Sequence, residues 1–443
     1  MTDLDAVLGR AWHDDATWKL LTRLTELEER MGGHPGERRA AGFVAEAFEE
    51  SGLEDVELRE FEMWRWNRDY AELAVTEPVE RTFETLALPY SPAGEVAAPL
   101  VDVGYGTPDE IERRDVRGRI AVASTTTPPE KGRFVHRMEK FGHAAAAGAE
   151  AFVFANHVPG QLPPTGALRF NAEAAMPGVG VSKEVGAWLA EYAERDGRAR
   201  LSVSATTERA TSQNVHGTLG PDTEEAIILL GHYDAHDIAE GALDNGCGIA
   251  TVAGAARLLR EMESELDRRV RVVGVGCEEV GLVGAEALVD SLELEDVAAV
   301  VNVDGAGRFR NLQAYTHGSE RLEALVEETC GEWDQPVSFS RDPHPYSDHW
   351  PFLREGVPAL QLHSQPPAGA ERGRGWGHTH ADTRDKVDPR NLREHAMLAA
   401  LLVRELARSE VPRIDEAELR ERLRESGAEA GMRAAEVWPE NWD

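Results

Sequence analysis

The stretch Ala226 to Ile249, AIILLGHYDAHDIAEGALDNGCGI, decides how this chain folds. Ala226 to Leu230 is a short, wholly apolar run that ends at Gly231. A strand covered on both faces of a parallel sheet reads this way, because neither face meets water. His232 and Asp234 stand at its end. After an aperiodic loop, Asp244-Asn245-Gly246 opens GIATVAGAARLLREME, whose apolar residues recur at helical spacing and place Asp244 at a helix N-terminus. In open α/β sheets the carboxyl ends of strands and the helix starts facing them form the ligand crevice, since backbone N–H groups converge there. The expected fold is α/β, with a mixed, mainly parallel sheet flanked by helices.

The same punctuation recurs downstream. Arg269 to Val275 is an apolar strand followed by Gly276-Cys277-Glu278-Glu279, and Val297 to Val303 runs into Asp304-Gly305-Ala306-Gly307. Val357 to Leu362 ends at His363. A Gly- and Arg-rich loop then leads to His378-Thr379-His380-Ala381-Asp382-Thr383, and NLREHAMLAALLVRELARSE closes the region as an amphipathic helix. Within that loop Arg372 and Arg374 are candidates to grip a substrate carboxylate, although arginine in a glycine-rich loop is more often simply solvated. Ser347, Asp348 and His349 are consecutive and cannot converge as a catalytic triad, so they read as pocket lining or as braces for the site.

The chain of 443 residues is too long for one small core and suggests two domains. In the N-terminal region WKLLTRLTELEERMGG and HPGERRAAGFVAEAFEESGL are helical, and the tryptophans of the alternating strand VELREFEMWRW read as packing residues. Near ALPYSPAGEVAA the texture turns to Pro, Gly and small residues, and short apolar strands then alternate with one Ala-rich helix. The reading is a larger α/β domain in two parts, 1–92 and 209–410, an inserted smaller β-rich domain at 93–208, and an acidic tail at 411–443 whose docking the sequence does not decide.

The formal net charge of -33, with only five lysines, tells against nucleic acid or anionic membrane surfaces as partners and suits a surface adapted to multimolar salt. Cys247, Cys277 and Cys330 form no CxxC pair, which argues against a disulfide framework and a thiolate zinc cluster; Cys247 and Cys277 read as small packed thiols. No apolar run reaches membrane-span length, and MTDLDAVLGRAWHDD is acidic where a secretory signal would be basic and then apolar, so a soluble cytoplasmic protein is expected.

Gathered together, His232, Asp244, Glu279, Asp304 and a histidine of the HTHADT loop make two imidazoles and three carboxylates. That set suits two divalent ions of the zinc, cobalt or manganese type, with one carboxylate bridging them. Glu278 is left over beside Glu279, free to take a proton from a metal-bridging water whose pKa falls toward about 7. His232 and His236 share the i,i+4 spacing of a helical mono-zinc site, but they follow a strand, and the glutamate that HExxH requires is missing, with Tyr233 in its place and the acid, Asp234, one position later.

GHYDAH, ALDNGCG, GCEEVGLVGAEAL, NVDGAG, SDHWPFLREGVPAL and HTHADTRDKV resemble, in order, the motifs of the M28 family of co-catalytic zinc metallopeptidases. RMGGHPGERRAAGFVAEAFEESGLEDVELREF looks like that family's first helix and strand, and GRIAVAS, AGAEAFVFAN and MPGVGVS resemble a protease-associated (PA) domain. The resemblance implies a zinc-exopeptidase fold of the phosphorylase/hydrolase-like type with a PA insert acting as lid or substrate guide. It implies that His232 and Asp304 bind one metal, Glu279 and His378 the other, and that Asp244 bridges. Asp234 would orient His232, Glu278 would be general base and acid, and the motif favours His378 over His380 with Asp382 as its support. The activity implied is an aminopeptidase acting on peptides. The rivals are a carboxypeptidase or dipeptidase with the same metals and an inactive binding protein, which retention of every ligand disfavours. Oligomeric state stays open.

Overall fold

The computed structural model describes residues 3–367 and 375–443. Its contacts separate two units: the first comprises Met1–Met63, Thr211–Gly377 and Asp382–Leu419, the second Trp64–Ala210, His378–Ala381 and Arg420–Asp443. Residues 64 onward therefore group with the insert, and the two long strands Glu54–Glu77 and Arg198–Leu219 each run across a unit boundary.

In the first unit, Ala226–His232 lies between two parallel neighbours, Arg269–Val275 and Val297–Val303, and is buried along its whole length. Val297–Val303 pairs in parallel with Ala359–Ser364, which pairs antiparallel with Leu312–Tyr315, itself parallel to Val337–Ser340. On the other side Arg269–Val275 pairs antiparallel with the end of Arg198–Leu219. The sheet is thus mixed and mainly parallel. Val275 pairs with His232, and Asn302 with Leu230, so His232, the glutamate turn and Asp304 leave the sheet at one edge and one level. Gly231 is needed there because a Cβ would sit 2.9 Å from the Val303 carbonyl oxygen.

The helices Ala16–Thr25, Pro35–Glu50, Cys247–Glu261 and Pro389–Ala407 contribute Leu21, Leu24, Val44, Phe48, Ile249, Leu259, Leu401 and Leu402 to one buried core. Each large aliphatic or aromatic side chain so buried is worth roughly 1.5–3 kcal/mol. The helix after the central strand starts at Cys247 rather than at Asp244: Asp244 (φ -131°, ψ 92°) and Asn245 (φ -130°, ψ 40°) lie outside helical geometry. The last parallel strand runs Ala359–Ser364, so His363 belongs to it. Cys247 and Cys277 are fully buried, as packed thiols should be.

In the second unit Gly94–Asp102, Ile120–Ser124, Ala151–Ala155 and Gly178–Val181 pair successively in parallel, with Arg137–Ala146 and Lys183–Ala193 as the main helices. Trp66 is buried and donates from Nε1 to the Ser91 carbonyl, whereas Trp64 is 39% exposed and carries the Arg209 guanidinium over its ring. Only one of the strand's two tryptophans is therefore a core residue, although positions two apart share a face of a regular strand; the Trp64 amide donates to the Asn171 side chain. The tail is ordered into helices Glu416–Glu425 and Ala428–Ala434. The second of these touches Arg137–Ala146 backbone to backbone: a Cβ on Gly142 would lie 1.9 Å from the Ala434 carbonyl oxygen, and one on Gly431 2.2 Å from Glu139. No helix among the described residues is long and apolar enough to cross a membrane.

Candidate metal centre

At the carboxyl edge of the first unit's sheet, His232 is fully buried and faces three carboxylates. Its Nδ1 is 3.3 Å from Asp234 Oδ1, and its Nε2 is 3.4 Å from Asp244 Oδ1 and 4.0 Å from Asp304 Oδ1. Neither ring nitrogen makes a hydrogen bond among the described residues. His232, Glu278 and Asp304 each offer one ligand atom, all within 4.8 Å of one another.

Each of these side chains is held by the backbone around it. The amides of Glu278 and Glu279 donate to the two oxygens of Asp234, at 3.0 and 3.2 Å, so one carboxylate fixes the glutamate turn and faces His232. Ser347 Oγ (2.9 Å) and Gln361 Nε2 (3.2 Å) donate to Asp304 Oδ2, and Asn302 Nδ2 donates to Ser347 Oγ at 2.8 Å. Ser347 is thus a brace, and no triad forms with its neighbours. Asn245 Nδ2 donates to the Val303 carbonyl, while its Oδ1 accepts from Gly248 and Gly305 amides, both at 3.0 Å. Asp382 accepts from the amides of Leu243 and Asp244, at 2.6 and 3.2 Å. Where the motif suggested a support for His378, the carboxylate of Asp382 secures the turn that presents Asp244.

Glu279 is 4% exposed, and its Oε2 stands 3.0 Å from His236 Nε2. His236 does not share a helical face with His232; it meets the second glutamate instead. The repeated His in GHYDAH was the only signal for it. His378 is buried and left-handed (φ 56°), with its carbonyl accepting from the Thr165 amide at 2.9 Å and its Nδ1 3.3 Å from the Thr165 carbonyl oxygen, and it falls with the second unit. His380 is exposed, as a residue outside the site would be. Arg372 and Arg374 lie outside the described residues.

Residues 214–403 match the model of peptidase family M28, and residues 96–189 match the PA domain. Residues 214–403 form a peptidase family M28 region. Aminopeptidase YwaD of Bacillus subtilis is 27% identical over 407 residues, covering 89% of this chain and 85% of that protein. Carboxypeptidase Q of Mus musculus is 24% identical, over 84% of this chain and 81% of that one. Among solved structures, the aminopeptidase from Aneurinibacillus sp. strain AM-1 matches with a TM-score of 0.69 and 25% identity, covering 92% of this chain and 96% of that one.

The electrostatics of this centre follow from burying so many acids together. Burial pushes the Glu278 carboxyl well above the usual range, and Glu279, Asp348 and Asp304 add to it while His232 opposes. Burial also raises Asp304, helped by Asp244, and raises Asp348, whose two oxygens are buried without a hydrogen bond among the described residues. For His232 burial disfavours the imidazolium, but Glu278, Asp234 and Asp244 outweigh it and raise its pKa. Arg30 supplies a buried positive charge nearby: it donates to the carbonyls of Leu24 (2.8 Å) and Gly241 (2.5 Å), and burial lowers its pKa to about 10 against the pull of Asp382, Asp234, Glu279 and Asp244. Glu37, which accepts from Ser212 Oγ at 2.6 Å, is pushed up to about 8 by burial and the charge of Asp234. Neither Arg30 nor Glu37 announced itself in the sequence, because each is one charged residue in a helical or turn pattern full of them.

Proposed function

We propose that this M28 chain is a metal-dependent exopeptidase, an aminopeptidase releasing N-terminal residues from peptides, with two divalent ions, zinc first, at the His232 cluster. The observation that carries the reading is the spacing around His232. Two ligands about 2.0–2.1 Å from a tetrahedral zinc stand about 3.3–3.4 Å apart, and His232 Nε2 is 3.4 Å from Asp244 Oδ1 without a hydrogen bond between them. A buried imidazole facing acids at that distance fits a cation between them better than direct pairing.

On this reading His232 and Asp304 would hold one ion and Glu279 the other, with Asp244 shared between them and His378 as the motif's ligand. Bound metal would lower the pKa of a water toward about 7 and polarise the scissile carbonyl. Glu278, with the raised pKa that burial gives it, accepts the proton of the attacking water and returns it to the departing amine. Asp234 keeps the glutamate turn and the His232 ring in register through the amides of Glu278 and Glu279.

The carboxypeptidase Q relative keeps a second reading in play, removal of C-terminal residues by the same metals. Mass spectrometry of a mixed peptide digest, at multimolar salt with added zinc or cobalt and again with a chelator, separates them. Chelator-sensitive shortening from the N-terminus is the expected result; shortening from the C-terminus would overturn the aminopeptidase assignment and leave the metal reading intact. A cytoplasmic, salt-adapted protein is part of the proposal: its three cysteines are free and buried, and its net charge is -33. Refolding at low salt with undiminished stability would remove the salt adaptation.

A further inference from the structure

The segment that leaves the central strand carries two imidazoles, and each goes to a different glutamate of the turn after Val275. Asp234 stands between them in sequence and holds that turn, accepting from the amides of Glu278 and Glu279 at 3.0 and 3.2 Å. His232, before it, groups with Glu278 and Asp304. His236, after it, is 6% exposed and brings its Nε2 to 3.0 Å from Oε2 of the buried Glu279. The backbone is pinned on both sides of Asp234. The Tyr233 amide donates to the Val275 carbonyl at 3.0 Å, and the Ala235 amide to the Arg30 carbonyl at 3.1 Å. His236 is thus delivered to Glu279 by a braced turn that also fixes the glutamate from its other end.

We propose that His236 is a ligand of the second metal position beside Glu279, a nitrogen additional to the ligands named above. His236 has this role only if the metal reading itself holds. Imidazole is the commonest protein ligand for ions of the zinc class, and either ring nitrogen serves. The separation fits as well. Two donors about 2.1 Å from one ion stand about 3.0 Å apart at a right angle and about 3.4 Å apart at the tetrahedral angle. His236 Nε2 and Glu279 Oε2, at 3.0 Å, have the spacing of adjacent ligands at a right angle, whereas His232 Nε2 and Asp244 Oδ1, at 3.4 Å, have the tetrahedral one. The two imidazoles of GHYDAH therefore divide between the two positions, with Asp234 as the common brace.

Paramagnetic proton NMR of the full chain loaded with cobalt(II), in water at multimolar salt, tests this. A ligating imidazole keeps one ring N–H that exchanges with solvent and is strongly shifted by the ion, so exchangeable shifted signals count the histidine ligands. Wild type should show one such signal more than His232 and His378 supply. His236→Gln should lose one, and should weaken cobalt retention against a chelator by about tenfold or more. If that variant does not fold, the wild-type count decides alone, and a count without the extra signal overturns the ligand. The same shifted signals in wild type and in a folded variant would make His236 an outer partner of Glu279 and overturn it equally. Wild type that retains no cobalt would remove the metal reading itself and His236 with it, a failure that elemental analysis tells from the other two.

Discussion

The two units use the same building rule and end it differently. In each, short apolar strands pair in parallel and helices cover them. In the first unit those strands run out into His232, Glu278–Glu279 and Asp304; in the second, Ile120–Ser124, Ala151–Ala155 and Gly178–Val181 are followed by Thr125, Asn156 and Ser182. The buried titratable groups differ to match: a crowd of carboxylates in one, and in the other Lys140, whose Nζ donates to the carbonyls of Ser124 and Thr126, each at 2.7 Å. A parallel sheet brings strand ends together whatever they carry. Chemistry depends on the few residues placed after them.

The sharpest test of that contrast is Glu278→Gln, which should keep metal, read by elemental analysis, and lower kcat by roughly 10²–10⁴-fold, since a positioned general base contributes that much. Wild-type turnover in this variant would break the assignment of chemistry to the first unit's glutamate turn. Next in size, Asp244→Ala should empty at least one metal position in the same elemental analysis; full metal content would remove Asp244 as the bridge.

In the second unit the expected effect is on stability alone. Burial lowers the Lys140 pKa from 10.5 to about 7, against the pull of Glu110 and Glu139. Between those values the unfolded chain binds more protons than the folded one, so stability rises with pH across the window from about 7 to 10.5 and is lost again as pH falls toward 7. The whole rise amounts to at most about 5 kcal/mol at about 1.36 kcal/mol per pKa unit. Chemical denaturation of wild type and Lys140→Met at several pH values should show the slope flatten in the variant while peptide cleavage is retained; an identical slope would mean that Lys140 is charged in the fold. The smallest effect is expected for Ser347→Ala, which removes one of the two side-chain donors to Asp304 and should weaken metal retention about tenfold, the low end for a residue bracing a ligand. Unchanged metal affinity by competition with a chelator would make Ser347 a mere packing residue.

Much of the first unit was legible because burial on both faces leaves a simple mark, four or five apolar residues and a glycine, and because the polar residue after each mark falls at a fixed edge. His232, Asp234, Glu278, Glu279 and Asp304 stand out for that reason. What escaped was tertiary in origin. That Asp382 secures the Leu243–Asp244 turn depends on two amides more than a hundred residues away. That His236 meets Glu279 depends on a loop with no periodicity to read. The helix start slipped from Asp244 to Cys247 because Asn245 spends its side chain on the Val303 carbonyl and on the amides of Gly248 and Gly305, a local alternative to capping. The tail's docking was hidden for a plainer reason: Gly142 and Gly431 reveal a close helix contact only once both helices are in place.

That contact also sets an order of events during synthesis. The helix Ala428–Ala434 completes a unit whose first strand begins near residue 64, and the whole of 211–419 leaves the ribosome in between. Until it arrives, the Glu139 and Gly142 face of Arg137–Ala146 stands uncovered, so the second unit is finished only after the catalytic one, and a nascent chain halted before residue 428 would hold a formed active-site sheet and an incomplete second unit.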